Sequence, residues 1–185
     1  MAELVVCSGE VLPAALKRQV LACQRIQWPS SFTGPHRQRD WINHPHHHPT
    51  HLLLVDDGLV VSHVGVVWKV LEHAGEAYTT YGLSGVLTVP VFRRQGHGRR
   101  LVDAATEHIR RSDADIGLFM CPPNRRAFYV ASGWIPMERT ELLGGPRSTP
   151  YPSQELTMMD FFSEKGRRGR PTFEGSPIYF DDDLW

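Results

Sequence analysis

The sequence predicts a mixed α/β fold, in which several strands come first and a strand–helix–strand–helix unit follows. Two observations favour this class: apolar runs of strand length are bounded by turn residues, and two stretches repeat apolar residues at helical spacing. Hydrophobic residues make up 41% of the chain and charged residues 22%, as in ordinary globular proteins. Because 185 residues can bury a sizeable core, we expect a single domain over residues 1–185.

The first half of the chain reads as a strand, a helix, a long loop and a hairpin. Residues 3–7 form a short apolar run, and residues 13–28 carry apolar side chains at helical spacing. Residues 51–73 predict a hairpin that turns at 56–58, where Asp-Asp-Gly permits a tight turn. The segment between them, 29–50, is rich in Pro, Gly and His. Loops of this length inside compact domains are often functional.

The second half supplies the repeated strand–helix unit. We expect, in order, a strand at 83–90, a helix at 98–111, a buried strand at 115–121, a short helix at 124–132 and two strands at 134–143 and 154–162. Asn124 is placed to cap the short helix and Gly133 to end it. From Ser163 the tail is polar, and its basic stretch at 164–171 predicts a solvated loop.

Charge and composition exclude several function classes. Twenty basic and twenty acidic side chains cancel, which argues against a protein that coats nucleic acid or an anionic membrane. No window approaches eighteen apolar residues, and residues 1–25 lack the pattern of a signal peptide. The three cysteines lie in apolar contexts without metal-ligand spacing. We therefore expect a cytoplasmic protein that binds neither nucleic acid nor membrane.

A glycine-rich turn stands between the strand at 83–90 and the helix that follows. Gly96 and Gly98 would let a ligand approach the backbone, where free N–H groups and the helix dipole favour a phosphate. A plain strand-to-helix turn is the alternative. A dinucleotide fold is excluded because the third glycine is absent, and a Walker loop because no Gly-Lys-Ser/Thr ending is present.

These residues resemble a known family. Arg93 to Gly98 matches the R-x-x-G-x-G turn of the GNAT superfamily of acetyl-CoA-dependent N-acyltransferases. The preceding GVLTVPVFR is similar to that family's splayed strand, and NRRAFYVASGW to its second signature, with Tyr129 four residues before Gly133. The resemblance implies the GNAT fold, in which a mostly antiparallel central sheet is splayed at the acetyl-CoA site and flanked by helices.

The resemblance also implies roles for individual residues. Acetyl-CoA would be the co-substrate, without a metal, and its pantetheine arm would pair with the backbone of Leu87 and Val89. The residues implied at the rest of the cofactor are Arg94, Gln95, Gly96, His97, Gly98, Arg99 and Asn124. Tyr129 would protonate the departing thiolate as general acid, although a core tyrosine is the alternative interpretation. Ser84 stands where many relatives carry a glutamate, so it could only order a water.

A narrower resemblance concerns the acceptor. The chain is similar to the aminoglycoside 2'-N-acetyltransferases in the pair Asp40-Trp41, in the GPRSTP turn at 145–150, and in the ending Asp183-Leu184-Trp185. This resemblance implies that the tail at 163–185 docks at the acceptor site. Asp40, Trp41, Ser84, Asp183 and Trp185 would then contact the acceptor, with carboxylates facing a polycationic sugar.

The loop at 29–50, called the acceptor loop below, departs from that pattern. It keeps Asp40 as its one carboxylate and adds His36, Arg37 and Arg39, which suits an acceptor with fewer amines or with an acidic group. Kasugamycin is such a compound, so the hypothesis is a kasugamycin-type 2'-N-acetyltransferase that confers antibiotic resistance. The alternatives are an acetyltransferase of a protein, peptide or other small-molecule amine, and a non-catalytic acyl-CoA-binding module.

The proton route and the assembly stay open at this point. The histidines of 44–51 could hold a metal, but a loop that lines the acceptor mouth is favoured because no carboxylate or cysteine pattern accompanies them. One of them, or His63 or His97, could act as base, and the sequence does not choose. Relatives often dimerise through their C-terminal strands, so a homodimer is an open alternative to a monomer.

Overall fold

The computed structural model describes residues 2–181 and residue 185, and these carry a mixed α/β fold, as predicted. The elements are β1 (Glu3–Ser8), α1 (Ala14–Gln27), β2 (Thr50–Asp56), β3 (Leu59–His73), β4 (Glu76–Thr88), α2 (His97–Arg110), β5 (Ile116–Cys121), α3 (Arg126–Val130), β6 (Ile135–Pro136), β7 (Leu142–Gly144), β8 (Tyr151–Pro152), β9 (Leu156–Phe161), α4 (Glu164–Gly175) and β10 (Ile178–Asp181). No helix in this part of the chain is long and apolar enough to cross a membrane.

The chain forms two compact units, and the first comprises the residues up to Val67 together with Leu83–Ala105. In it, β2 pairs antiparallel with both β1 and β3, and β4 follows β3 in the sheet. Its core is built from α1, the loop 29–50 and these strands. The buried members are Leu12, Val20, Leu21, Phe32, Ile42, Leu53, Val60 and Leu87. Three short 3₁₀ helices punctuate the loop, which is therefore an ordered part of this unit.

The second unit comprises Trp68–Gly82 and the described residues from Thr106 onward. Here β4 runs parallel to β5, and β9 pairs antiparallel with β5 and β6. A second, three-stranded sheet has the order β10-β7-β8. The buried members of its core are Leu71, Tyr78, Ile116, Leu118, Met137, Leu142, Met159, Phe161, Phe173, Ile178 and Phe180.

The strand predicted at 83–90 begins earlier than expected. It starts at Glu76 and is the second arm of a hairpin that turns at Ala74 and Gly75, whose φ angles are 50° and 82°. The turn was missed because Ala-Gly is a weaker turn signal than the Asp-Gly of the first hairpin. The prediction for that first hairpin at 56–58 is confirmed.

The basic stretch after Ser163 is a helix and not a solvated loop. Ser163 Oγ accepts from the Gly166 N–H at 2.9 Å and caps α4. Phe173 is fully buried in the second unit's core, so packing on one face stabilises a stretch whose two interior glycines disfavour a helix. Ion pairs one helical turn apart link exposed residues of α4, Glu164 with Arg168 at 3.4 Å and Arg170 with Glu174 at 2.7 Å.

Two smaller expectations also need correction. Asn124 does not cap α3, because it lies inside a 3₁₀ turn at Pro123–Arg125 and the cap position is Arg125. α3 ends at Val130, earlier than predicted, and Gly133, with a φ of 92°, closes the turn that follows by donating its N–H to the Val130 carbonyl at 3.0 Å. The strand expected at 134–143 is divided into β6 and β7, and β8 is a further short strand.

Candidate active site

The glycine-rich turn lies in the first unit and leads directly into α2. Arg94 and Gly96 both adopt left-handed backbone conformations, with φ of 62° and 82°. Nothing lies within 4 Å of the place that a Cβ on Gly96 would occupy, so glycine is favoured there by its backbone conformation and not by crowding. The Arg100 N–H donates to the Gly96 carbonyl at 3.0 Å. The earlier N–H groups have no helical carbonyl to reach, which is the arrangement that binds a phosphate.

The arginines around this turn differ in what they contact. Arg93 Nε donates to the Thr88 carbonyl at 2.9 Å and so fastens the turn to the end of β4. Arg99 forms an ion pair with Asp103 at 2.8 Å. Arg94 is exposed and is the arginine best placed to add charge at the turn. Of the other residues implied at the cofactor, Gln95 and Gly96 are exposed, whereas His97 and Gly98 are half-buried.

The backbone groups of Leu87 and Val89 are used within the first unit. The Val89 N–H donates to the Val61 carbonyl at 3.0 Å, and the Leu87 carbonyl accepts from the Ser62 hydroxyl at 2.7 Å. Residues of a strand present their hydrogen-bonding groups to opposite sides in alternation. These two residues therefore face β3, which corrects the expectation that they pair with the pantetheine arm.

Ser84 lies in β4 and is held by an asparagine of the acceptor loop. Asn43 Nδ2 donates to Ser84 Oγ at 2.7 Å. Asn43 is only 8% exposed, and its Oδ1 has no hydrogen-bond partner among the described residues. A Cβ on Gly65 would overlap this oxygen, so the glycine makes room for the amide. The hydrogen bond from Asn43 thus fixes the orientation of the half-buried Ser84 hydroxyl.

Two buried histidines hold the residue that follows Ser84. His63 Nδ1 donates to the Gly85 carbonyl at 2.9 Å, which leaves His63 Nε2 to accept from His51 Nδ1 at 3.0 Å. Burial lowers the pKa of His51 to about 4, and burial together with the neighbouring His51 lowers the pKa of His63 to about 3. Both rings are neutral at physiological pH, and His63 has no nitrogen left for an acceptor amine.

The acceptor loop places its predicted pair Asp40 and Trp41 differently. Asp40 forms an ion pair with Lys17 at 3.1 Å, and its side chain is 86% exposed. Trp41 is half-buried, with the guanidinium carbon of Arg39 4.5 Å from the ring centroid. The ring of His44 lies 4.8 Å from that of Trp41. The carboxylate is therefore partly neutralised, while the tryptophan belongs to a cluster of cations and aromatic rings.

The histidine rings of this loop pack against one another at steep angles, 47° for His44 with His46 and 69° for His46 with His47. The ring centroids of His44 and His46 are 4.0 Å apart, and those of His46 and His47 are also 4.0 Å apart. Within residues 2–181 and 185, no group of three or more His, Cys, Asp or Glu side chains could hold a metal ion.

Tyr129 lies in the second unit, in α3, and is 8% exposed. The Phe119 ring packs edge-on against it at 4.7 Å. Burial raises the pKa of Tyr129, the nearby Cys121 raises it further, and Arg125 opposes the shift. The phenol therefore keeps its proton throughout the neutral range, as a general acid requires. Transfer to a free thiolate would be uphill, so a hydrogen bond to the developing charge is the role that this pKa favours.

The rest of the second signature surrounds this tyrosine. Trp134 is 2% exposed, and its Nε1 donates to Thr106 Oγ1 at 2.9 Å. The Trp134 N–H donates to the Tyr129 carbonyl at 3.2 Å, so the tryptophan anchors the end of α3. Asn124 is exposed in the 3₁₀ turn before α3.

Trp185 is seated in the second unit. Its Nε1 donates to the Leu118 carbonyl at 3.1 Å, one residue beyond Gly117, where the pairing of β4 with β5 ends. A Cβ on Gly82 would overlap the indole, so the ring lies directly on the backbone of β4. Asp183, the other predicted contact of the tail, lies outside the described residues.

Residues 16–134 of the chain match the family model described as the Acetyltransferase (GNAT) family.

The chain is a member of the GNAT acetyltransferase family.

Its fold is also similar to several solved structures. ElaA of Escherichia coli is 13% identical, with 86% of this chain and 99% of that chain covered and a TM-score of 0.60. An acyl-CoA N-acyltransferase from Pseudomonas aeruginosa is 14% identical, with the same coverage and a TM-score of 0.60. The GNAT family N-acetyltransferase YhbS of Escherichia coli, solved in complex with CoA, is 14% identical, with 99% and 91% covered and a TM-score of 0.61.

Membership of the GNAT family makes this chain an acyl-CoA N-acetyltransferase that uses acetyl-CoA. The match includes Ser84, the glycine-rich turn and Tyr129. The sequence indicated these three features, because a signature of the GNAT family or a departure from it marks each of them.

The sequence pattern did not reveal the buried polar side chains that contact β4 at Ser84 and Gly85. Asn43, Gln24 and the pair His51–His63 touch Ser84 or Gly85 from distant parts of the chain. A polar residue inside an apolar strand, such as His63, was the available signal, because a buried imidazole needs a partner. The identity of that partner depends on the tertiary fold.

Proposed function

We propose that this GNAT enzyme transfers the acetyl group of acetyl-CoA to the 2'-amino group of an aminoglycoside of the kasugamycin type, and that it thereby confers resistance. The observation that supports this acceptor is the charge of the loop 29–50. Its one carboxylate, Asp40, is tied to Lys17, while Arg39 lies half-buried against Trp41. Such a surface suits an acceptor with a single amine and an acidic arm better than a polycationic one.

The reaction needs a neutral amine beside the thioester carbonyl. The nitrogen forms a bond to the acetyl carbon, the carbon–sulfur bond breaks, and the amine proton leaves. Ser84 has no basic group of its own, so we place there a water that accepts this proton, oriented by the Ser84 hydroxyl and by Asn43 behind it. Tyr129 stabilises the CoA thiolate through its phenol proton. Positioning of the two substrates supplies a large part of the rate.

The geometry of β4 and of the turn supports our assignment of the cofactor residues. We place the pyrophosphate at the N–H groups of 94–99. The pantetheine arm pairs with Val86 and Thr88, because Leu87 and Val89 direct their backbone groups to β3. Asn124 remains a proposed cofactor contact, and its exposure supports this role.

The tail contributes Trp185 to the acceptor side in this proposal. Its indole is anchored at the Leu118 carbonyl, and the Lys69 ammonium lies 5.3 Å from the ring centroid. An anchored tryptophan offers a flat apolar wall against which a sugar ring can pack. Asp183 stays a proposed contact of the acceptor, as a carboxylate for its amine.

The test is thiol release from acetyl-CoA with a panel of acceptors: kasugamycin, several polyamino aminoglycosides, polyamines and mixed peptides. Mass spectrometry would locate each new acetyl group. Acetylation of the 2'-amine of kasugamycin, with little transfer to polyamino compounds, is expected. Comparable efficiency on gentamicin or tobramycin would contradict the substrate assignment, and reaction of peptides alone would assign the enzyme to protein amines. No transfer at all, with acetyl-CoA still bound, would favour an acyl-CoA-binding module.

A further inference from the structure

The acceptor loop holds two guanidinium groups against one aromatic ring. The Cζ atoms of Arg25 and Arg39 lie 4.4 and 4.1 Å from the centroid of Phe32. Arg39 is also stacked on Trp41, so its guanidinium lies between two rings. Burial lowers the pKa of Arg39, and the positive charge of Arg25 lowers it further. The two like charges therefore repel each other in a partly desolvated place.

Within the described residues, no carboxylate neutralises this pair. Arg25 donates to the carbonyls of Arg37 and Arg39 at 3.1 and 3.5 Å. Arg39 Nη2 donates to the neutral Gln24 Oε1 at 3.5 Å, and Arg39 Nε is buried without a partner among residues 2–181 and 185. The loop's own carboxylate, Asp40, bonds elsewhere. Holding two cations together without a counter-ion is costly unless an anion binds there during function.

Arg39 is connected to β4 through the side chain of Gln24. Its partner Gln24 is 3% exposed, and Gln24 Nε2 lies 2.8 Å from the place that a Cβ on Gly85 would occupy. Gly85 directly follows Ser84, where we place the water that accepts the proton of the acceptor amine. One buried side chain therefore separates the guanidinium from the backbone beside the reacting group.

We propose that Arg39, supported by Arg25, binds a carboxylate of the acceptor and so selects amines that carry an anionic group on a short arm. A guanidinium binds a carboxylate through paired, charge-assisted hydrogen bonds, and stacking on Phe32 and Trp41 fixes its orientation beforehand. The link to the acceptor rests on the proposed function. Binding of an anion at this site does not depend on catalysis and can be measured separately.

The first experiment therefore measures anion binding without acetyl-CoA. Oxamate, a small carboxylate next to an amide, is titrated into the full chain while the fluorescence of Trp41 is followed, with the W41F variant identifying that signal. Acetamide is the neutral control ligand. Saturable binding of oxamate but not of acetamide is expected, and Arg39→Met should weaken it about tenfold or more, as expected for loss of a charge-assisted pair.

Variants of Arg39 and Arg37 distinguish a specific anion site from a general effect of the positive charge of the loop. Arg39→Met keeps a long apolar side chain against Phe32, and circular dichroism would confirm that it folds. Arg37→Met removes the same charge from the same loop at an exposed position and should leave oxamate binding unchanged. Arg39→Lys keeps the charge without the planar fork and should bind with intermediate affinity. No saturable binding to the wild type, or equal weakening by Arg37→Met and Arg39→Met, would overturn the proposal.

The second experiment tests selection during turnover. Arg39→Met should raise KM for kasugamycin about tenfold with little change in kcat. It should leave KM unchanged for the same sugar amine without its carboxylated arm. If oxamate binds through Arg39 but kasugamycin is not acetylated, the anion site stands and the proposed function fails. If kasugamycin is acetylated and Arg39→Met has no effect on KM, the proposed function stands and this inference fails.

Discussion

At the scale of single residues, the proposed mechanism depends on two side chains whose orientation is set by a neighbour. Tyr129 is packed against Phe119, and Ser84 is held by Asn43. Neither side chain is a strong acid or base at neutral pH. Their effect on the rate therefore comes from where their protons are held, and substitutions that keep the shape but remove the hydroxyl are the most informative.

Tyr129→Phe removes the phenol proton and keeps the ring against Phe119. We expect kcat to fall by about 10²-fold or more, because the departing thiolate loses the hydrogen bond that stabilises its developing charge. Acetyl-CoA affinity, measured by calorimetry, should stay unchanged. Tyr151→Phe, at an exposed tyrosine of the same unit, is the matched control and should keep full activity. Unchanged turnover in Tyr129→Phe would show that the tyrosine is a core residue.

Asn43 and Ser84 are suited to a double-mutant cycle. Ser84→Ala should lower kcat about tenfold through loss of the ordered water. Asn43→Ala should lower it in the wild type but add little in the Ser84→Ala background, because Asn43 acts through Ser84. Steady-state kinetics with kasugamycin provides the four values. Gln38→Ala, an exposed amide of the same loop, is the control. Fully additive effects would mean that Asn43 only stabilises the loop.

At the scale of elements, the backbone conformation of the turn between β4 and α2 shapes the proposed phosphate site. The left-handed backbone at Gly96 allows the chain to reverse before α2 begins, so that the first N–H groups of the helix are presented at one place. The two residues before the glycine, Arg94 and Gln95, are exposed and leave that place open to a ligand.

Gly96→Ala separates these two properties of the turn. A Cβ there meets open space, so the cost is the left-handed conformation alone, about 1 to 2 kcal/mol. We expect the turn to rearrange and acetyl-CoA to bind about tenfold more weakly. Calorimetric titration of acetyl-CoA checks this. Gly175→Ala, which also meets no atom within 4 Å and lies at the end of α4, should leave the affinity unchanged. Equal affinity in both variants would show that Gly96 is not part of the phosphate site.

At the scale of the whole molecule, the buried histidine pair makes stability depend on pH. His51 and His63 have folded-state pKa values of about 4 and 3, well below the usual value near 6.5 of an unfolded chain. Above pH 6.5 both states carry neutral rings. As the pH falls, the unfolded chain binds protons first, so the free energy of unfolding decreases between pH 6.5 and 4.

Urea unfolding at pH 7 and pH 5 measures this dependence. From His51 alone we expect a loss of about 2 kcal/mol over that interval, since one pKa unit corresponds to about 1.4 kcal/mol. His63→Gln removes one of the two titrating rings and should make the dependence shallower. His108→Gln, at an exposed histidine, should leave it unchanged. Equal stability of the wild type at both pH values would contradict the burial of a neutral pair.

The local features were accessible from the residues alone. The glycine-rich turn, the hairpin turn at 56–58 and the spacing from Tyr129 to Gly133 all depend on backbone conformations that near neighbours impose. The glycine-rich turn and the spacing from Tyr129 to Gly133 also indicated the GNAT family, and with it the mixed α/β fold. Short-range steric constraints depend only on neighbouring residues, so these backbone conformations could be predicted from one sequence.

Only the tertiary structure decided which distant groups meet. Asn43 and Ser84 are forty-one positions apart, and the bond between them exists because the acceptor loop packs on β4. The orientation of Leu87 and Val89 toward β3 depends on strand register, and α4 forms because Phe173 is buried. Packing and hydrogen-bond satisfaction are properties of the assembled fold, so no local pattern could assign the partners that orient this site.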